Sequence, residues 1–414
     1  KNICILGLGY IGLPTAAFLA SNKTNVLGVD INHKKITEIK EGNFFSNEIN
    51  LESLVKKSLK RGFLQVQGTP KESDIFIITV PTPFKKSKSK NLPLPDTSFI
   101  KSSIKSISKF IQKGNLIILE STSPVGTTEK IAKFLSKLRP DLSFPSSVKK
   151  NKKPDVNIAY CPERVIPGNI LKELNENDRV IGGLTRFCSQ KAYEFYKNYI
   201  SGEIFLTDSR SAEMSKLVEN AYRDINIAYA NELSMVCDEL NLNVYEITSL
   251  SNRHPRVNIL KPGPGVGGHC IAVDPWFIAS SSPKNTQLIQ TARSVNEQKK
   301  KWVIKKINKM ISSLHKKNIL ISFYGITYKP NVDDFRQSPA LEITHFFSKK
   351  KNIKCQVLEP NLKVLPSKIS SCEKVELNSS KKSDIHVLLV GHSQFENKMP
   401  KNGIIIDTQG FWKK

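Results

Sequence analysis

The sequence predicts the α/β fold class, with two doubly wound domains joined by a long central helix. Three observations predict it: a β-α-β pattern at residues 3–29, a helical pattern without glycine or proline at 211–240, and strand-like runs that return after residue 318. Apolar strands that alternate with helices are typical of a parallel sheet covered on both faces. The 414 residues, 39% of them hydrophobic, suffice for more than one such core.

The N-terminal segment begins the first domain. Apolar residues 3–6 precede the turn Gly7-Leu8-Gly9-Tyr10-Ile11-Gly12, a helical pattern reaches Ser21, and a second apolar run covers 26–29. Further strand-like runs at 75–80 and 116–120 alternate with helical patterns at 99–112 and 127–137. This alternation indicates a Rossmann-like domain, which we place at residues 1–205.

The long helix and the segment after it form the remaining two domains. Apolar residues recur along the helix at helical spacing: Met214, Leu217, Val218, Ala221, Ile225, Ala228 and Leu233. After a segment rich in proline and glycine and a further helical pattern, strand-like runs occur at 319–324, 355–358, 385–390 and 403–407. We therefore predict a central helical domain at 206–300 and a second Rossmann-like α/β domain at 301–414.

The net charge of +26 invites a nucleic-acid interpretation, since basic surfaces bind phosphate backbones. Lysine-rich runs occur at 85–90, 149–153, 299–301 and 349–351, without interleaved aromatic residues and without a recognised nucleic-acid motif. Solvated loops and helix faces explain such runs better. We therefore expect no nucleic-acid partner.

The lengths of the apolar runs argue against a membrane or secreted protein, and the cysteine spacing argues against a disulfide-rich or zinc-binding one. No stretch approaches the ~20 apolar residues that span a bilayer, and residues 1–12 lack a basic region and a cleavage site. A cytoplasmic protein without a membrane partner is expected. The seven cysteines are widely spread and contain no C-x-x-C pair, which argues against a disulfide framework and a zinc site, so no metal is expected.

Gly7, Gly9 and Gly12 have the spacing of a dinucleotide-binding turn. A side chain at these positions would keep a pyrophosphate from the backbone amides at the start of the helix, where the helix dipole favours negative charge. Asp30 ends the next strand, where its carboxylate can bind a ribose hydroxyl. Because this carboxylate would repel a 2′-phosphate, we predict NAD rather than NADP, although the nearby Lys35 could partly accommodate that phosphate.

Four more residues belong to the predicted cofactor site. Tyr10 and Ile11 lie within the glycine turn, and Thr82 and Thr122 follow the strand-like runs at 75–80 and 116–120. The carboxyl ends of parallel strands present the ligand crevice of an open sheet. We place Thr122 near the chemistry, and its alternative role is that of a turn or cap hydroxyl.

The segment that leads to Cys270 is rich in glycine. Four glycines precede the cysteine, at Gly263, Gly265, Gly267 and Gly268. Without side-chain bulk, the backbone can approach a ligand and deliver a thiol. A thiol at a loop-to-helix junction gains thiolate character from the helix dipole. The residues alone leave two interpretations of Cys270 open: a nucleophile, or a small buried hydrophobic residue.

Polar residues in two other segments suit chemistry on an alcohol. Lys216 and Asn220 are four residues apart on the central helix and share a face, so they could stabilise a developing alkoxide, or simply be solvated. Glu163 could activate a water molecule as a general base, or be a surface carboxylate. Asp274, four residues after the cysteine, could assist proton transfer and also cap a helix.

Taken together, the motifs resemble the UDP-glucose/UDP-N-acetylmannosamine/GDP-mannose dehydrogenase family along the whole chain. They occur in order as Gly7 to Gly12, Glu120-Ser-Thr-Ser-Pro124, Cys161-Pro-Glu-Arg164, Lys216-x-x-x-Asn220, Gly267-Gly-His-Cys270 with Asp274, and Tyr328-Lys329 to Arg336. The resemblance implies a four-electron, NAD-dependent oxidation of a nucleotide sugar by a homodimer or a dimer of dimers. Residues 252–260 and the cysteine segment are most similar to family members that oxidise UDP-N-acetyl-D-mannosamine for envelope polysaccharides.

The resemblance also implies roles for single residues. Cys270 holds the sugar as a thiohemiacetal and then as a thioester, while Lys216, Asn220, Glu163, Asp274 and Thr122 serve catalysis. Substrate binding is assigned to Arg164, Arg256, Lys261, Gly267 and Lys329, together with Glu163, Lys216 and Asn220. Arg256 would reach across a subunit interface, and Arg336 would lie where the cofactor meets that interface.

Several alternatives remain open on the sequence. The sugar could be UDP-N-acetylglucosamine or UDP-glucose. A two-electron hydroxyacid or 6-phosphogluconate-type dehydrogenase has a similar Rossmann domain, long helix and lysine-asparagine pair, but needs no thiol. A non-catalytic nucleotide-binding or nucleic-acid-binding protein is the alternative of a different class. A thiolate pair with His269 is disfavoured because adjacent residues of an extended loop point apart, and Cys161 is expected to be structural.

Overall fold

The computed structural model describes residues 1–44, 46, 48–85, 92–146, 152–165, 168–268, 270–377 and 382–412. Most of the predicted lysine-rich runs at 85–90 and 149–153, and His269, lie outside these residues. The chain forms two compact units, one of residues 1–218 and 276–282 and the other of residues 219–275 and 283–414. No helix in the described ranges is long and apolar enough to cross a membrane.

The first unit is built on an eight-stranded sheet. Its strands are β1 (Asn2–Leu6), β2 (Asn25–Val29), β3 (Leu64–Gln67), β4 (Ile75–Ile78), β5 (Leu116–Leu119), β6 (Asn157–Tyr160), β7 (Arg179–Gly183) and β8 (Ile204–Asp208). Their order is β3-β2-β1-β4-β5-β6-β7-β8. All neighbours are parallel except β6 and β7, which pair antiparallel. The doubly wound, Rossmann-like fold predicted for this unit is confirmed.

Helices cover both faces of this sheet. They are α1 (Gly12–Ser21), α2 (His33–Glu41), α3 (Leu51–Lys60), α4 (Ser98–Ile107), α5 (Thr127–Leu138), α6 (Ile170–Glu176) and α7 (Arg186–Tyr196). Strand residues alternate between two cores, with Ile3 and Ile5 in one and Cys4 and Leu6 in the other. Because both faces are buried, the central strands are continuously apolar.

The antiparallel pairing of β6 and β7 determines at which edge of the sheet their connecting segment lies. A parallel neighbour needs a crossover that returns the chain to the amino edge of the sheet. Since β7 runs against β6, the connecting segment 161–178 stays at the carboxyl edge of β6 instead. That is the edge at which open α/β sheets bind ligands. The predicted base Glu163 lies in this segment.

The long helix predicted at 211–240 is confirmed as α8 (Ser209–Glu239). It is followed by α9 (Val244–Ser251), α10 (Asp274–Ser281), α11 (Gln287–Ser313) and α12 (Pro339–Ser348). In the second unit, Arg293 of α11 donates from Nη1 to Asp224 Oδ1 of α8 at 2.7 Å, and Asn231 Nδ2 donates to Asn296 Oδ1 at 2.9 Å. These buried polar contacts tie α11 to α8.

The C-terminal sheet of the second unit has five parallel strands, as predicted for a second Rossmann-like domain. They are β9 (Ile319–Tyr324), β10 (Ile353–Leu358), β11 (Glu373–Lys374), β12 (Ile385–Leu388) and β13 (Ile404–Asp407). The order is β11-β10-β9-β12-β13. Central positions such as Phe323 and Val387 are fully buried, which again indicates helices or loops on both faces.

Candidate active site

The glycine turn of the first unit joins the end of β1 to the start of α1. Gly7 has φ +96°, a left-handed conformation that favours glycine. A Cβ on Gly12 would lie 1.8 Å from the carbonyl oxygen of Gly7 and 2.5 Å from Thr79 Oγ1. Around Gly9, by contrast, no described atom lies within 4 Å of such a Cβ. Packing of the chain therefore requires a glycine at position 12, and position 9 faces open space.

The carboxylate of Asp30 lies beside this turn. Its Oδ2 accepts a hydrogen bond from the backbone N–H of Leu8 at 2.9 Å, and its Oδ1 accepts one from Asn32 N–H at 3.0 Å. Lys35 Nζ lies 3.7 Å from Oδ2. Ile11 is the N-cap residue of α1, and its hydrocarbon side chain has no acceptor for the first N–H groups of the helix. The open turn, the helix start and the adjacent carboxylate fit the pyrophosphate and ribose of a dinucleotide.

Threonines after β4 and β5 meet near the carboxyl edge of the sheet. Thr82 Oγ1 donates a hydrogen bond to the carbonyl oxygen of Thr122 at 2.8 Å, so the structure brings these two predicted residues together. The hydroxyl of Tyr10 donates to Glu48 Oε1 at 3.0 Å. Glu48 also accepts backbone N–H bonds from Gly168 and Ile170. No sequence motif indicates Glu48. Its carboxylate ties the glycine turn to the segment after Glu163.

Cys270 is the one half-buried thiol, since the other six cysteines, all within the described residues, are buried. The backbone N–H groups of Val273 and Asp274 donate to the carbonyl oxygen of Cys270 at 2.9 and 2.8 Å. The cysteine therefore occupies a turn directly before α10. This is the loop-to-helix junction that the sequence predicts.

Two glycines of the cysteine loop pack against their own chain. A Cβ on Gly267 would lie 2.7 Å from the carbonyl oxygen of Gln337 and 2.8 Å from Pro339 Cδ. Gly268 has φ +82°, and its Cβ would lie 2.8 Å from the Tyr328 ring. From the sequence, these glycines are expected to allow the approach of a ligand. The structure shows that contact with residues 328–339 already requires them.

Asn220 and Asp274, which sequence reasoning treated separately, form one hydrogen-bonded pair. Asn220 Nδ2 donates to Asp274 Oδ2 at 2.5 Å, and Asp274 is buried. Lys216 is half-buried one turn earlier on α8. The amide predicted to contact substrate is thus oriented by the carboxylate predicted to move a proton.

Charged and phenolic groups surround the cysteine loop within the second unit. The Arg336 guanidinium pairs with Asp334, with Nη2 2.6 Å from Oδ2, and Arg336 accepts a backbone hydrogen bond from Gly268. Burial raises the pKa of Tyr328 to about 12, and the nearby Asp334 and Cys270 act in the same direction, opposed by Arg336. Tyr328 and Asp334 are therefore neighbours of the site that sequence reasoning missed, although they lie within its last motif.

The remaining predicted cations lie in different environments. Lys329 is half-buried, with Nζ 5.9 Å from the ring centre of Tyr328, whereas Arg256 and Lys261 are exposed. The loop that carries Lys329 is held by a buried histidine: Asn331 N–H donates to His392 Nδ1 at 2.9 Å. His392 Nε2 lies 3.1 Å from Glu359 Oε2.

Glu163 is buried in the first unit, and both of its oxygens are engaged. Oε1 accepts the backbone N–H of Arg164 at 2.9 Å, and Oε2 accepts Arg179 Nη2 at 2.5 Å. Arg164 itself donates from Nη2 to the carbonyl oxygen of Asp178 at 2.5 Å. Burial raises the pKa of Cys161 well above its usual range, so this neighbour stays a thiol. Arg179 was not predicted, and its only signal is a charge at the start of an apolar run.

Comparisons with known proteins cover the whole chain. Models of the UDP-glucose/GDP-mannose dehydrogenase family match its NAD binding domain at residues 1–200, its central domain at 210–298 and its UDP binding domain at 322–414. UDP-N-acetyl-D-mannosamine dehydrogenase of Escherichia coli K12 is 47% identical over 100% of this chain and 99% of its own length. NDP-N-acetyl-D-galactosaminuronic acid dehydrogenase of Ralstonia nicotianae is 45% identical over 100% of this chain and 96% of its own. Among solved structures, UDP-N-acetyl-mannosamine dehydrogenase of Staphylococcus aureus has a TM-score of 0.86 and 37% identity, and covers 100% of this chain and 96% of its own.

Proposed function

From the premise that this chain belongs to the UDP-glucose/GDP-mannose dehydrogenase family, we propose that it oxidises the C6 alcohol of UDP-N-acetyl-D-mannosamine to the carboxylate, using two NAD. Membership makes it an NAD-dependent UDP-sugar dehydrogenase, an oxidoreductase. The observation that carries the choice of sugar is the full-length, 47% identity to an enzyme named for that substrate.

The names of similar proteins bear on which sugar is oxidised. The relative named for an N-acetylgalactosamine derivative is almost as similar, at 45% identity, and both names describe N-acetylated sugars. A solved UDP-glucose dehydrogenase is only 21% identical and shows the fold alone. An acetamido group at C2 is therefore favoured over a hydroxyl, and UDP-N-acetylglucosamine and UDP-glucose are the alternatives.

The proposed reaction proceeds through covalent intermediates on Cys270. Bound NAD supplies the hydride acceptor for each of the two oxidations. The first oxidation removes a proton and a hydride from the C6 alcohol and gives the aldehyde. The thiolate of Cys270 adds to the aldehyde carbon, and the oxygen takes a proton to give a thiohemiacetal. Loss of the hydroxyl proton and of the second hydride leaves a thioester, and attack of water breaks the carbon–sulfur bond, which releases the acid and restores the thiol. Covalent capture keeps a reactive aldehyde from escaping between the oxidations. The half-buried turn before α10 supports this role, because it exposes the thiol near a helix start.

The other polar residues are assigned by what each can donate or accept. The Lys216 ammonium stabilises the alkoxide and later the oxyanion. Asn220 provides a second donor, and its hydrogen bond to Asp274 orients the amide. Glu163 accepts the proton of the hydrolytic water, while Asp274 assists proton transfer at the thiol.

We assign the binding residues according to the proposed domains at 1–205, 206–300 and 301–414. NAD is assigned to the first domain, through Gly7, Gly9, Tyr10, Ile11, Gly12, Asp30, Lys35, Thr82 and Thr122, with Arg336 as an additional contact. The sugar nucleotide is assigned to Arg164, Arg256, Lys261, Gly267 and Lys329. Cations and backbone donors suit a diphosphate. The ion pair of Lys35 with Asp30 lessens its use for a 2′-phosphate, in keeping with NAD.

Counting NADH per sugar tests the proposal. We expect UDP-N-acetylmannosamine to give two NADH per molecule consumed, and UDP-N-acetylglucosamine and UDP-glucose to react at least about 10-fold more slowly, since small differences at one carbon are worth about 1–3 kcal/mol. Absorbance at 340 nm and mass analysis of the sugar product give the ratio. One NADH per sugar, with aldehyde accumulating, contradicts the four-electron reaction.

A second copy of this chain is the proposed partner of α8. Along this helix, Tyr222, Tyr229 and Val236 are 67%, 56% and 47% exposed and recur every seven residues, which places them on one face. Soluble monomers rarely expose such a continuous apolar stripe. We infer a homodimer, or a dimer of dimers, in which two stripes pack together.

A charge in the stripe is expected to separate the copies. Tyr229→Glu removes aromatic contact area and buries a carboxylate, so the mass measured by light scattering should fall to that of a monomer at micromolar concentration. Arg223→Glu places the same side chain on another exposed face of α8 and should leave the mass unchanged. If the wild-type protein is itself a monomer at this concentration, the proposed interface is wrong.

Cellular placement follows from the chemistry. A nucleophilic cysteine must stay reduced, which is the condition of the cytoplasm. We propose that the reaction occurs there and that the uronate product supplies cell-envelope polysaccharide synthesis. Loss of N-acetylated uronic acid from the envelope of a deletion strain, with accumulation of the UDP-sugar, is the expected result.

A further inference from the structure

A buried group of charged residues lies at the carboxyl edge of the first sheet. We call Arg179, Glu120, Glu163 and Tyr196 the Arg179 cluster. Arg179 begins β7, Glu120 directly follows β5, and Tyr196 ends α7. All four side chains are buried. The antiparallel pairing of β6 and β7 brings Arg179 to the same edge as Glu163.

Contacts within the cluster converge on the guanidinium. Arg179 Nη2 donates to Glu163 Oε2 at 2.5 Å, and Nη1 lies 3.6 Å from Glu120 Oε1. The Tyr196 hydroxyl donates to the same Glu120 oxygen at 2.6 Å. The guanidinium carbon lies 4.6 Å from the centre of the Tyr196 ring, which adds a cation–π contact.

Folding stability does not explain this arrangement. Within the described part of the chain, Glu120 Oε2 and Arg179 Nη1 are buried without a hydrogen-bond partner. Desolvating two carboxylates and a guanidinium costs several kcal/mol per ion by order of magnitude, and well-packed apolar residues of similar volume are often as stable or more stable. Buried polar groups that are only partly satisfied call for another explanation.

We propose that Arg179 is a positioning residue that fixes the carboxylate of Glu163 for attack of water on the Cys270 thioester, and that Glu120 and Tyr196 hold Arg179 in place. The proposal rests on the function proposed above. In the step concerned, the water oxygen bonds to the thioester carbon and Glu163 takes one water proton. The carbon–sulfur bond then breaks, and its electron pair leaves with the Cys270 sulfur.

Two fixed donors on Glu163 define the direction of its remaining lone pairs. The backbone N–H of Arg164 engages Oε1 and Arg179 engages Oε2, so the carboxylate cannot rotate without losing one bond. A guanidinium is planar and presents several donors in fixed directions, whereas an ammonium is a point charge on a flexible stem. Lysine at position 179 should therefore keep the charge and lose the orientation.

Glu120 gives the cluster a dependence on pH. Burial raises the pKa of Glu120 to about 7, opposed by the Arg179 charge and the Tyr196 hydrogen bond and reinforced by the Glu163 charge. The Cys161 thiol is the other titratable group facing Arg179. Ionised Glu120 holds the guanidinium by its charge, and neutral Glu120 holds it less firmly, so Arg179 then orients Glu163 less well. Hydrolysis should therefore slow as the pH falls through about 7.

Arg179→Lys separates positioning from a general structural role. We expect the first rapid release of NADH to stay within about 2-fold of wild type, while steady-state turnover falls about 10²-fold, as loss of a general base does. The thioester should then accumulate, visible by mass spectrometry as an adduct on the peptide that contains Cys270. Arg293→Lys is the matched control, because Arg293 is equally buried and paired with Asp224. It should show no adduct.

Glu120→Gln provides the second measurement, which does not require the Arg179 variant to fold. It should flatten the pH dependence of thioester hydrolysis between pH 6 and 8, since a neutral amide mimics the protonated carboxyl at every pH. If Glu120→Gln keeps the wild-type pH profile, the inference is wrong. It is also wrong if Arg179→Lys lowers the first release of NADH and the steady-state turnover equally and no adduct forms on Cys270. If wild type itself never forms a Cys270 adduct, the proposed function fails as well.

Discussion

Cys270→Ser is expected to lower carboxylate formation by at least about 10³-fold, because a serine hydroxyl without an activating base is a far weaker nucleophile than a thiolate. The NADH released per sugar should fall from two toward one, and aldehyde should be trapped by added hydrazine. Rapid-mixing absorbance and product analysis by mass spectrometry measure both. The first oxidation does not need the thiol, so an initial release of NADH should persist.

Cys237→Ser is the matched control for this variant. Cys237 is a buried cysteine of α8, and its replacement should reduce thermal stability while leaving two NADH per sugar. Carboxylate formation at the wild-type rate by Cys270→Ser would contradict the covalent mechanism. It would favour a four-electron reaction in which water adds to the aldehyde and the second hydride leaves from that hydrate.

Exposure distinguishes Cys270 from the other six cysteines, which are buried. Burial raises the pKa of Cys4 to about 12 and that of Cys161 still further, so these thiols do not ionise near neutral pH. Cys270 is half-buried in a turn, where a thiolate can meet a substrate. Sequence alone left Cys270 open between nucleophile and buried residue, and its exposure supports the first.

Much of the fold follows from periodicity. The runs at 3–6 and 319–324, and the helical pattern at 211–240, correspond closely to β1, β9 and α8 because each is long, apolar and bounded by clear signals. By contrast, β3 alternates polar and buried residues and β8 is largely exposed. Such edge strands carry weak signals, and the antiparallel pairing of β7 depends on a connection that no local pattern reveals.

The residues predicted for the site come from local motifs, and their roles stay predictions. Long-range pairs are different: Asn220 meets Asp274 across 54 residues, and Tyr196 meets Glu120 across 76. One sequence contains no signal for such partners, because the fold alone brings them together. The sequence therefore predicts individual residues such as Asn220 and Asp274, whereas their pairing, and the contact of Arg179 with Glu163, follow only from the fold.

Gly12→Ala is expected to lower the affinity for NAD by at least about 10²-fold, or about 3 kcal/mol of binding free energy. The added Cβ would lie 1.8 Å from the carbonyl oxygen of Gly7 and 2.5 Å from Thr79 Oγ1. A backbone oxygen in a tight turn cannot move aside without moving its neighbours, so the turn and the start of α1 must shift together. Titration calorimetry with NAD and thermal unfolding measure the two consequences.

Gly9→Ala distinguishes packing of the turn from the approach of the cofactor. No described atom lies within 4 Å of a Cβ at position 9. The midpoint temperature of thermal unfolding should therefore change by less than about 2 °C. NAD binding should still weaken, because that space is where the pyrophosphate would approach the backbone. If Gly9→Ala binds NAD with unchanged affinity, the dinucleotide binds elsewhere. If Gly12→Ala unfolds while Gly9→Ala folds and binds NAD weakly, Gly12 serves the packing of the turn and Gly9 the approach of the cofactor.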